Sequence, residues 1–148
     1  TAQAFQSRGA GSITVASRTL SNAEAAATQA GGWAASLAEL PELLATADIV
    51  TCATAAPGHL LGAAAVAAAM KQRPARPLFL IDLALPRDID PAAAAVANVF
   101  LYNLDDLAVI AEGNLARREA EAAKGRAIVA ERTAALWPQV AQTLSRGI

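Results

Sequence analysis

Two hydroxyl side chains flank an arginine at the point where a short β-branched run ends. The run at residues 12–16 predicts a strand, and Ser17, Arg18 and Thr19 come directly after it. In sheets that select NAD, an acidic residue near this point accepts hydrogen bonds from the ribose hydroxyls. This chain has a guanidinium there instead, and its fixed charge and fork of donors suit a 2′-phosphate. The pattern favours a 2′-phosphorylated dinucleotide, and a solvated loop arginine is the alternative.

Small residues follow the strand predicted at residues 48–54, which would be the central strand of a sheet. Thr54, Ala55 and Ala56 stand there, just before Pro57. Small side chains at the carboxyl end of such a strand let a dinucleotide approach the backbone closely, as glycines do elsewhere. This segment is therefore a second candidate for cofactor binding. A tight turn that merely needs small residues is the alternative.

Four other side chains with possible chemistry favour structural roles. Asp82 lies inside an apolar strand, and a buried carboxylate needs a partner, for which Arg87 is the nearest candidate in sequence. Cys52 lies in mid-strand, where cysteines are usually inert small hydrophobes. His59 is the only histidine, and no second His or Cys completes a metal site with it. We therefore predict no catalytic residue and no metal ligand in this chain.

The elements that must position these residues alternate along the first hundred residues. Short apolar or β-branched runs predict strands, and the alanine-rich segments between them predict helices. Leu78–Ile81 is an unbroken apolar run typical of a strand buried on both faces, and a second run follows at Val99–Tyr102. This rhythm predicts an α/β fold, a Rossmann-like parallel sheet with right-handed crossovers.

The pattern changes near Asn103, where the rhythm of strands stops. The following residues predict one long α-helix, charged on nearly every side in its middle, which Pro138 should kink or end. We therefore predict two domains, residues 1–103 and residues 104–148. Apolar positions return on one face near the end of the helix and favour a dimer; they are Leu136, Val140 and Leu144.

Composition excludes several classes of protein. The net charge of −1 argues against a broad basic surface, so the chain alone should not bind nucleic acid strongly. The single cysteine excludes an internal disulfide framework and fits a reducing compartment such as the cytoplasm. No segment is long and apolar enough to predict a membrane span. The chain opens without a Met or a basic leader, so we expect an internal piece of a longer protein.

Several sequence blocks resemble the glutamyl-tRNA reductase family. They include LIDLALPRDIDP at residues 80–91 and VFLYNLDDL at residues 99–107. The most specific pieces are residues 55–57, Asp82 with residues 85–89, and residues 101–107. SRTL, which begins at Ser17, is similar to the Asn-Arg-Thr block of the family, with Ser17 where Asn is usual. The resemblance implies that Arg18 and Thr19 hold the adenosine 2′-phosphate of NADPH. It also implies that residues 54–56 line the cofactor cleft.

The resemblance also implies an activity and an architecture. Members of the family reduce glutamyl-tRNA to glutamate-1-semialdehyde with NADPH, at the head of tetrapyrrole (porphyrin) biosynthesis. They combine a catalytic domain, an NADPH domain and a helical dimerisation domain, joined by a long spinal helix. Their nucleophilic cysteine belongs to the catalytic domain, so Cys52 does not inherit that role. The tRNA partner would bind outside this chain, which alone would be inactive.

The resemblance further implies that a glycine-rich loop and the first sheet strand lie upstream of Thr1. In the strand order of a Rossmann sheet, that strand would lie between the strands at Ile13 and Ile49. The facing edges of those two strands would then lack ladder partners in this chain.

Two other functions remain open at this point. The first is an NADP-dependent reductase of the shikimate dehydrogenase type, which shares an Arg-Thr block but does not predict the long charged helix. The second is a nucleotide-sensing module without enzymatic activity, whose helix pairs with a partner.

Overall fold

The computed structural model describes residues 1–146 of the chain. It divides into two compact units, one from Thr1 to Asn103 and one that begins at Leu104. The strands of the first unit are β1 (Thr14–Ser17), β2 (Trp33–Ser36), β3 (Ile49–Cys52), β4 (Leu78–Asp82) and β5 (Val99–Asn103). Its α-helices are α1 (Ala2–Ser7), α2 (Leu20–Ala30), α3 (Leu40–Thr46) and α4 (Ala63–Gln72), with short 3₁₀ helices at Leu37–Glu39 and Pro91–Ala95. Helix α5 (Leu104–Arg146) forms the second unit.

The strand pairs in the described residues are all parallel, which confirms the predicted α/β architecture. β1 pairs with β2, and β3, β4 and β5 form a three-stranded sheet in that order. In the larger sheet Ile49 lies opposite Phe79, and Leu80 lies opposite Leu101. Parallel neighbours need a crossover, and the helices of the first unit supply it.

The two sheets leave a gap between β1 and β3. Within the described residues β1 pairs with β2 alone and β3 pairs with β4 alone, so each has one edge without a strand partner. This agrees with the missing strand that the family resemblance implied. Exposure agrees, because no residue of β1 is fully buried and Ile49 of β3 remains 47% exposed.

The core packs α3 and α4 against one face of the three-stranded sheet. Leu44 of α3, Val66 of α4 and Leu80 of β4 are fully buried in it. The prediction that β4 is buried on both faces was wrong in part, because Phe79 and Ile81 on the opposite face are only half-buried. Alternate residues of a strand point to opposite faces, and here only one face is covered completely.

Helix α5 runs without a break for 43 residues. Pro138 lies inside it, so the helix does not end there, and a kink at this residue stays a prediction. Its exposed apolar side chains include those predicted to favour a dimer, Leu136, Val140 and Leu144. Residues 147 and 148, which the predicted second domain includes, lie outside the described residues. Within residues 1–146, no helix combines the length and the apolar character that a membrane span requires.

A glycine pair joins α2 to β2, and the second glycine is held close to the backbone of another segment. Gly31 ends α2 with a φ of 61°, a conformation that favours glycine. At Gly32 a Cβ atom would collide with the carbonyl oxygen of Ile13, which accepts a hydrogen bond of 2.8 Å from the Trp33 N–H. The start of β2 therefore needs a residue without a side chain.

We expect Gly32→Ala to lower the free energy of unfolding by about 1–3 kcal/mol, because the carbonyl of Ile13 must shift and strain the β1–β2 pair. Urea denaturation followed by circular dichroism measures this change. Gly11→Ala is the control, since a Cβ atom there meets no atom within 4 Å and its φ is not positive. Equal stability of the two variants would contradict the prediction.

Candidate dinucleotide site

The carboxyl ends of β1 and β3 line one cleft, with a volume of about 350 Å³. Ser17 and Arg18 lie on the β1 side, and Thr54 and Ala56 lie on the β3 side. The structure thus brings together four of the six residues that the sequence predicted for cofactor binding. The other two, Thr19 and Ala55, are exposed neighbours in the chain and do not line the cleft.

Positive charge in the cleft comes from Arg18. Among the described residues that line the cleft, it is the only charged one, and its side chain is exposed. Helix α2 begins two residues later with Thr19 as N-cap, and the Thr19 side chain makes no capping hydrogen bond. The first N–H groups of a helix have no intrahelical partner and attract anions. A phosphate near Arg18 would therefore meet a guanidinium and a helix N-terminus together.

Asn22 also lines the cleft, and the sequence analysis missed it. It stands four residues after Arg18, in the first turn of α2. Side chains in the first turn of a helix that follows a strand lie near the carboxyl end of that strand, so the position could have been found from the predicted start of the helix. Its amide both donates and accepts hydrogen bonds, which suits a sugar hydroxyl or a base edge.

Thr54 is held by a carboxylate that lies 34 residues away in the sequence. The Thr54 N–H donates to Oδ2 of Asp88 over 2.7 Å, and its hydroxyl donates to Oδ1 of Asp88 over 2.5 Å. The same hydroxyl oxygen accepts a hydrogen bond from the Ala56 N–H over 3.1 Å. These bonds fix the backbone just after β3, where the chain enters the cleft.

Asp82, at the end of β4, holds the loop that carries Asp88. Its carboxylate accepts hydrogen bonds from the N–H groups of Ala84, Asp88 and Ile89, at 3.0, 3.3 and 3.0 Å. The predicted pairing of Asp82 with Arg87 was wrong, since Arg87 is exposed and no ion pair joins the two within the described residues. The turn after β4 folds back over the carboxylate, so backbone donors satisfy it instead.

The sequence analysis did not assign a role to Asp88, which is completely buried. Its signal in the sequence was weak, because it stands among other charged residues in a loop. A partner 34 residues away becomes visible only when the fold brings β3 and β4 together.

Cys52 is buried at the end of β3 and forms no disulfide. Burial raises the pKa of its thiol to about 12, and the negative charges of Asp88 and Asp82 act in the same direction. A thiol with this pKa is neutral near pH 7 and is a poor nucleophile. His59 is exposed, and residues 1–146 contain no group of three potential metal ligands.

The cleft has the size of a small-molecule site, and its lining carries the positive charge of Arg18 among small and apolar side chains. Its volume lies within the range of small-molecule sites, about 300–1,000 Å³. Ala16, Ala53 and Ala56 leave room for a ligand to approach the backbone, and the Arg18 guanidinium and the start of α2 lie at one side. Ligands of open α/β sheets bind at this position, outside the carboxyl ends of the strands.

The profile of the shikimate / quinate 5-dehydrogenase family matches residues 1–110, most of the chain. The chain belongs to this family. The match covers all of the first unit of this chain and only the beginning of α5.

Curated relatives extend the similarity into α5, and they are named glutamyl-tRNA reductase. The protein of Brevibacillus brevis is 42% identical over 141 residues, which cover 94% of this chain and 31% of that protein. The protein of Geobacillus thermodenitrificans is 46% identical over 122 residues, 82% of this chain and 27% of that protein. These matches confirm the resemblance that the sequence blocks indicated. The chain spans about a third of the length of the curated relatives it matches.

Solved structures agree with the relatives. The glutamyl-tRNA reductase from Methanopyrus kandleri matches with a TM-score of 0.83 and 33% identity, over 98% of this chain and 37% of that one. The nucleotide-binding domain of the Thermoplasma volcanium glutamyl-tRNA reductase matches with a TM-score of 0.53 and 23% identity, over 72% of this chain and 67% of that one. At that lower identity, the second match supports the fold alone.

Proposed function

We propose that this chain is the NADPH-binding part of a longer glutamyl-tRNA reductase. Such an enzyme is an oxidoreductase that reduces glutamyl-tRNA to glutamate-1-semialdehyde for tetrapyrrole biosynthesis. The observation that carries the proposal is the similarity to glutamyl-tRNA reductases, which reaches 94% of the chain and continues into α5 beyond the family profile. The cleft with its exposed arginine supports the cofactor part of the proposal.

In this proposal the six predicted residues act from two sides of the cleft. Arg18 and Thr19 hold the adenosine 2′-phosphate together with the first N–H groups of α2, and Ser17 contacts the cofactor beside them. Thr54 and Ala56 form the wall opposite, with Ala55 between them in the chain. NADPH would supply a hydride to the activated glutamyl group, which other parts of the protein would present.

The two units would then have separate roles. Residues 1–103 bind the cofactor, and the helix that begins at residue 104 leads towards a dimerisation domain. The exposed apolar side chains of Leu136, Val140 and Leu144 support a homodimer. Glutamyl-tRNA would bind to domains outside this chain, and the enzyme would work in the cytoplasm.

Turnover of the full-length protein tests the proposal. With glutamyl-tRNA and NADPH, we expect oxidation of NADPH and appearance of the semialdehyde, whereas uncharged tRNA and free glutamate should give neither product. NADH in place of NADPH should support a much lower rate. Binding of NADPH without turnover of charged tRNA would contradict the enzymatic part and would favour a nucleotide-sensing module.

The family profile favours one further candidate, a dehydrogenase of the shikimate type. That enzyme would reduce NADP⁺ in the presence of shikimate or quinate. The same preparation of full-length protein distinguishes the two functions when it is assayed with both sets of substrates. Because the similarity to glutamyl-tRNA reductases continues into α5, we expect activity with glutamyl-tRNA and NADPH and no activity with shikimate or quinate.

A further inference from the structure

The loop that forms the β3 side of the cleft, residues 53–60, is held at both ends by one short segment, residues 88–90. At the start of the loop, Asp88 accepts both hydrogen bonds of Thr54. At the end of the loop, the Leu61 N–H donates to the Asp88 carbonyl and the Asp90 N–H donates to the Leu61 carbonyl, each over 2.9 Å. The two segments therefore form a local parallel bridge between Leu61 and Ile89.

The holding segment is itself fixed from β4. The Asp82 carboxylate accepts hydrogen bonds from the N–H groups of Asp88 and Ile89, and Asp82 pairs in register with Cys52 of β3. Asp82, Asp88 and Ile89 are all buried, so water cannot easily replace these bonds. The position of Asp88 relative to β3 is thus set by the sheet and not by the loop that it holds.

The hydroxyl group and the backbone N–H of Thr54 are both used in hydrogen bonds within the protein. Its hydroxyl hydrogen goes to Asp88, and its hydroxyl oxygen accepts from the Ala56 N–H. Its backbone N–H also goes to Asp88. Neither the N–H nor the hydroxyl hydrogen of Thr54 is therefore free to bind a dinucleotide. Thr54 would instead affect binding through the conformation of the loop.

We propose that Asp88 is a positioning residue for cofactor binding, which fixes Thr54 and thereby the form of the loop at residues 53–60 against which the dinucleotide lies. The inference rests on the proposed NADPH site and deepens it. The loop contains Pro57 and Gly58 and is exposed for most of its length, so it has little packing of its own to hold it in one conformation. Without the carboxylate the loop would sample several conformations, and only a fraction of them would accept the ligand.

Four variants of the full-length protein test this inference. Asp88→Ala removes both acceptors, and Thr54→Val removes the hydroxyl of an exposed residue without changing its size. Thr54→Ser retains every hydrogen bond of Thr54. Thr46→Val is the matched control, because the Thr46 hydroxyl bonds only to carbonyls of its own helix, α3.

We expect Asp88→Ala and Thr54→Val each to raise the Kd for NADPH about tenfold or more at temperatures where both variants remain folded, with KM for glutamyl-tRNA unchanged. Thr54→Ser should restore the affinity to within about threefold of wild type, and Thr46→Val should match wild type. The loss of binding free energy in the double variant of Asp88 and Thr54 should be less than the sum of the two single losses, because both single changes remove the bond between the Thr54 hydroxyl and Asp88. Hydrogen exchange at the Ala56 amide should become faster in Asp88→Ala and Thr54→Val.

Several results would overturn the inference. If Thr54→Val folds and binds NADPH as wild type does, Asp88 has a structural role only, and the proposed function stands. Lower thermal stability with unchanged Kd in Asp88→Ala would lead to the same conclusion. If the wild-type protein binds no NADPH, the proposed function fails first, and the inference about its cofactor falls with it.

Discussion

Replacing Arg18 by alanine should weaken NADPH binding by about 10- to 100-fold and leave NADH binding within about twofold. A hydrogen bond to a charged group contributes about 1.5–3 kcal/mol, and about 1.4 kcal/mol corresponds to a factor of ten. Arg18 is the charged residue among the described lining of the cleft, so no neighbouring cation there would compensate for its loss. NADH lacks the 2′-phosphate and has no comparable interaction to lose. Calorimetric titration of the full-length protein with both dinucleotides measures the two affinities.

Two further variants separate the charge of Arg18 from its geometry. Arg18→Lys retains the charge but loses the planar fork, so we expect an intermediate loss of affinity for NADPH. Arg8→Ala removes the same charge from an exposed position after α1, away from the cleft, and should bind both dinucleotides as wild type does. An equal loss of NADPH and NADH affinity in Arg18→Ala would show that this side chain does not read the 2′-phosphate.

The elements that build this cleft were predictable because they depend on short-range patterns. The apolar run Leu78–Ile81 and the run Val99–Tyr102 each became a strand within one residue of the expected bounds. The carboxyl ends of parallel strands share one edge of a sheet, so the placement of Arg18 and Thr54 beside one cleft followed from the order of the elements. Chain order and periodicity were sufficient for that step.

The hydrogen-bond partners of the buried carboxylates could not be predicted in the same way. Proximity in the sequence suggested Arg87 as the partner of Asp82, but the Asp82 carboxylate accepts its hydrogen bonds from backbone N–H groups. Asp88 accepts a hydrogen bond from Thr54, which lies far from it in the sequence. Backbone N–H groups carry no signal in the sequence, because nearly every residue has one. Propensity alone also left two outcomes open at Pro138, a kink or an end. The helix continues there, and the carbonyl of exposed Ala134, which loses its donor, can bind water.

Because β1 and β3 each have one edge without a strand partner, we expect the 148-residue chain to be much less stable alone than with a further parallel strand between β1 and β3. Helix α1 precedes β1, so a strand before α1 would complete a right-handed β-α-β unit with β1 and reach β3 at its other edge. That strand would cover Ile49, which is 47% exposed. It would also pair the backbone groups of both edges. We expect the free energy of unfolding to rise by ~2 kcal/mol or more, about the effect of burying one large apolar side chain together with a few net hydrogen bonds.

Extending the chain upstream by the natural residues before Thr1 tests this prediction. Urea denaturation should give a higher midpoint for the extended protein, and the amides of β1 and β3 that face the gap should exchange about 30-fold more slowly. NADPH should also bind far more tightly to the extended protein, because the cleft lies between the ends of these two strands. Two prolines placed in the added strand form the control, since they remove ladder donors and should abolish each gain. The argument fails if the 148-residue chain alone unfolds at the same urea concentration and binds NADPH with the same affinity, because the open edges would then cost the fold nothing.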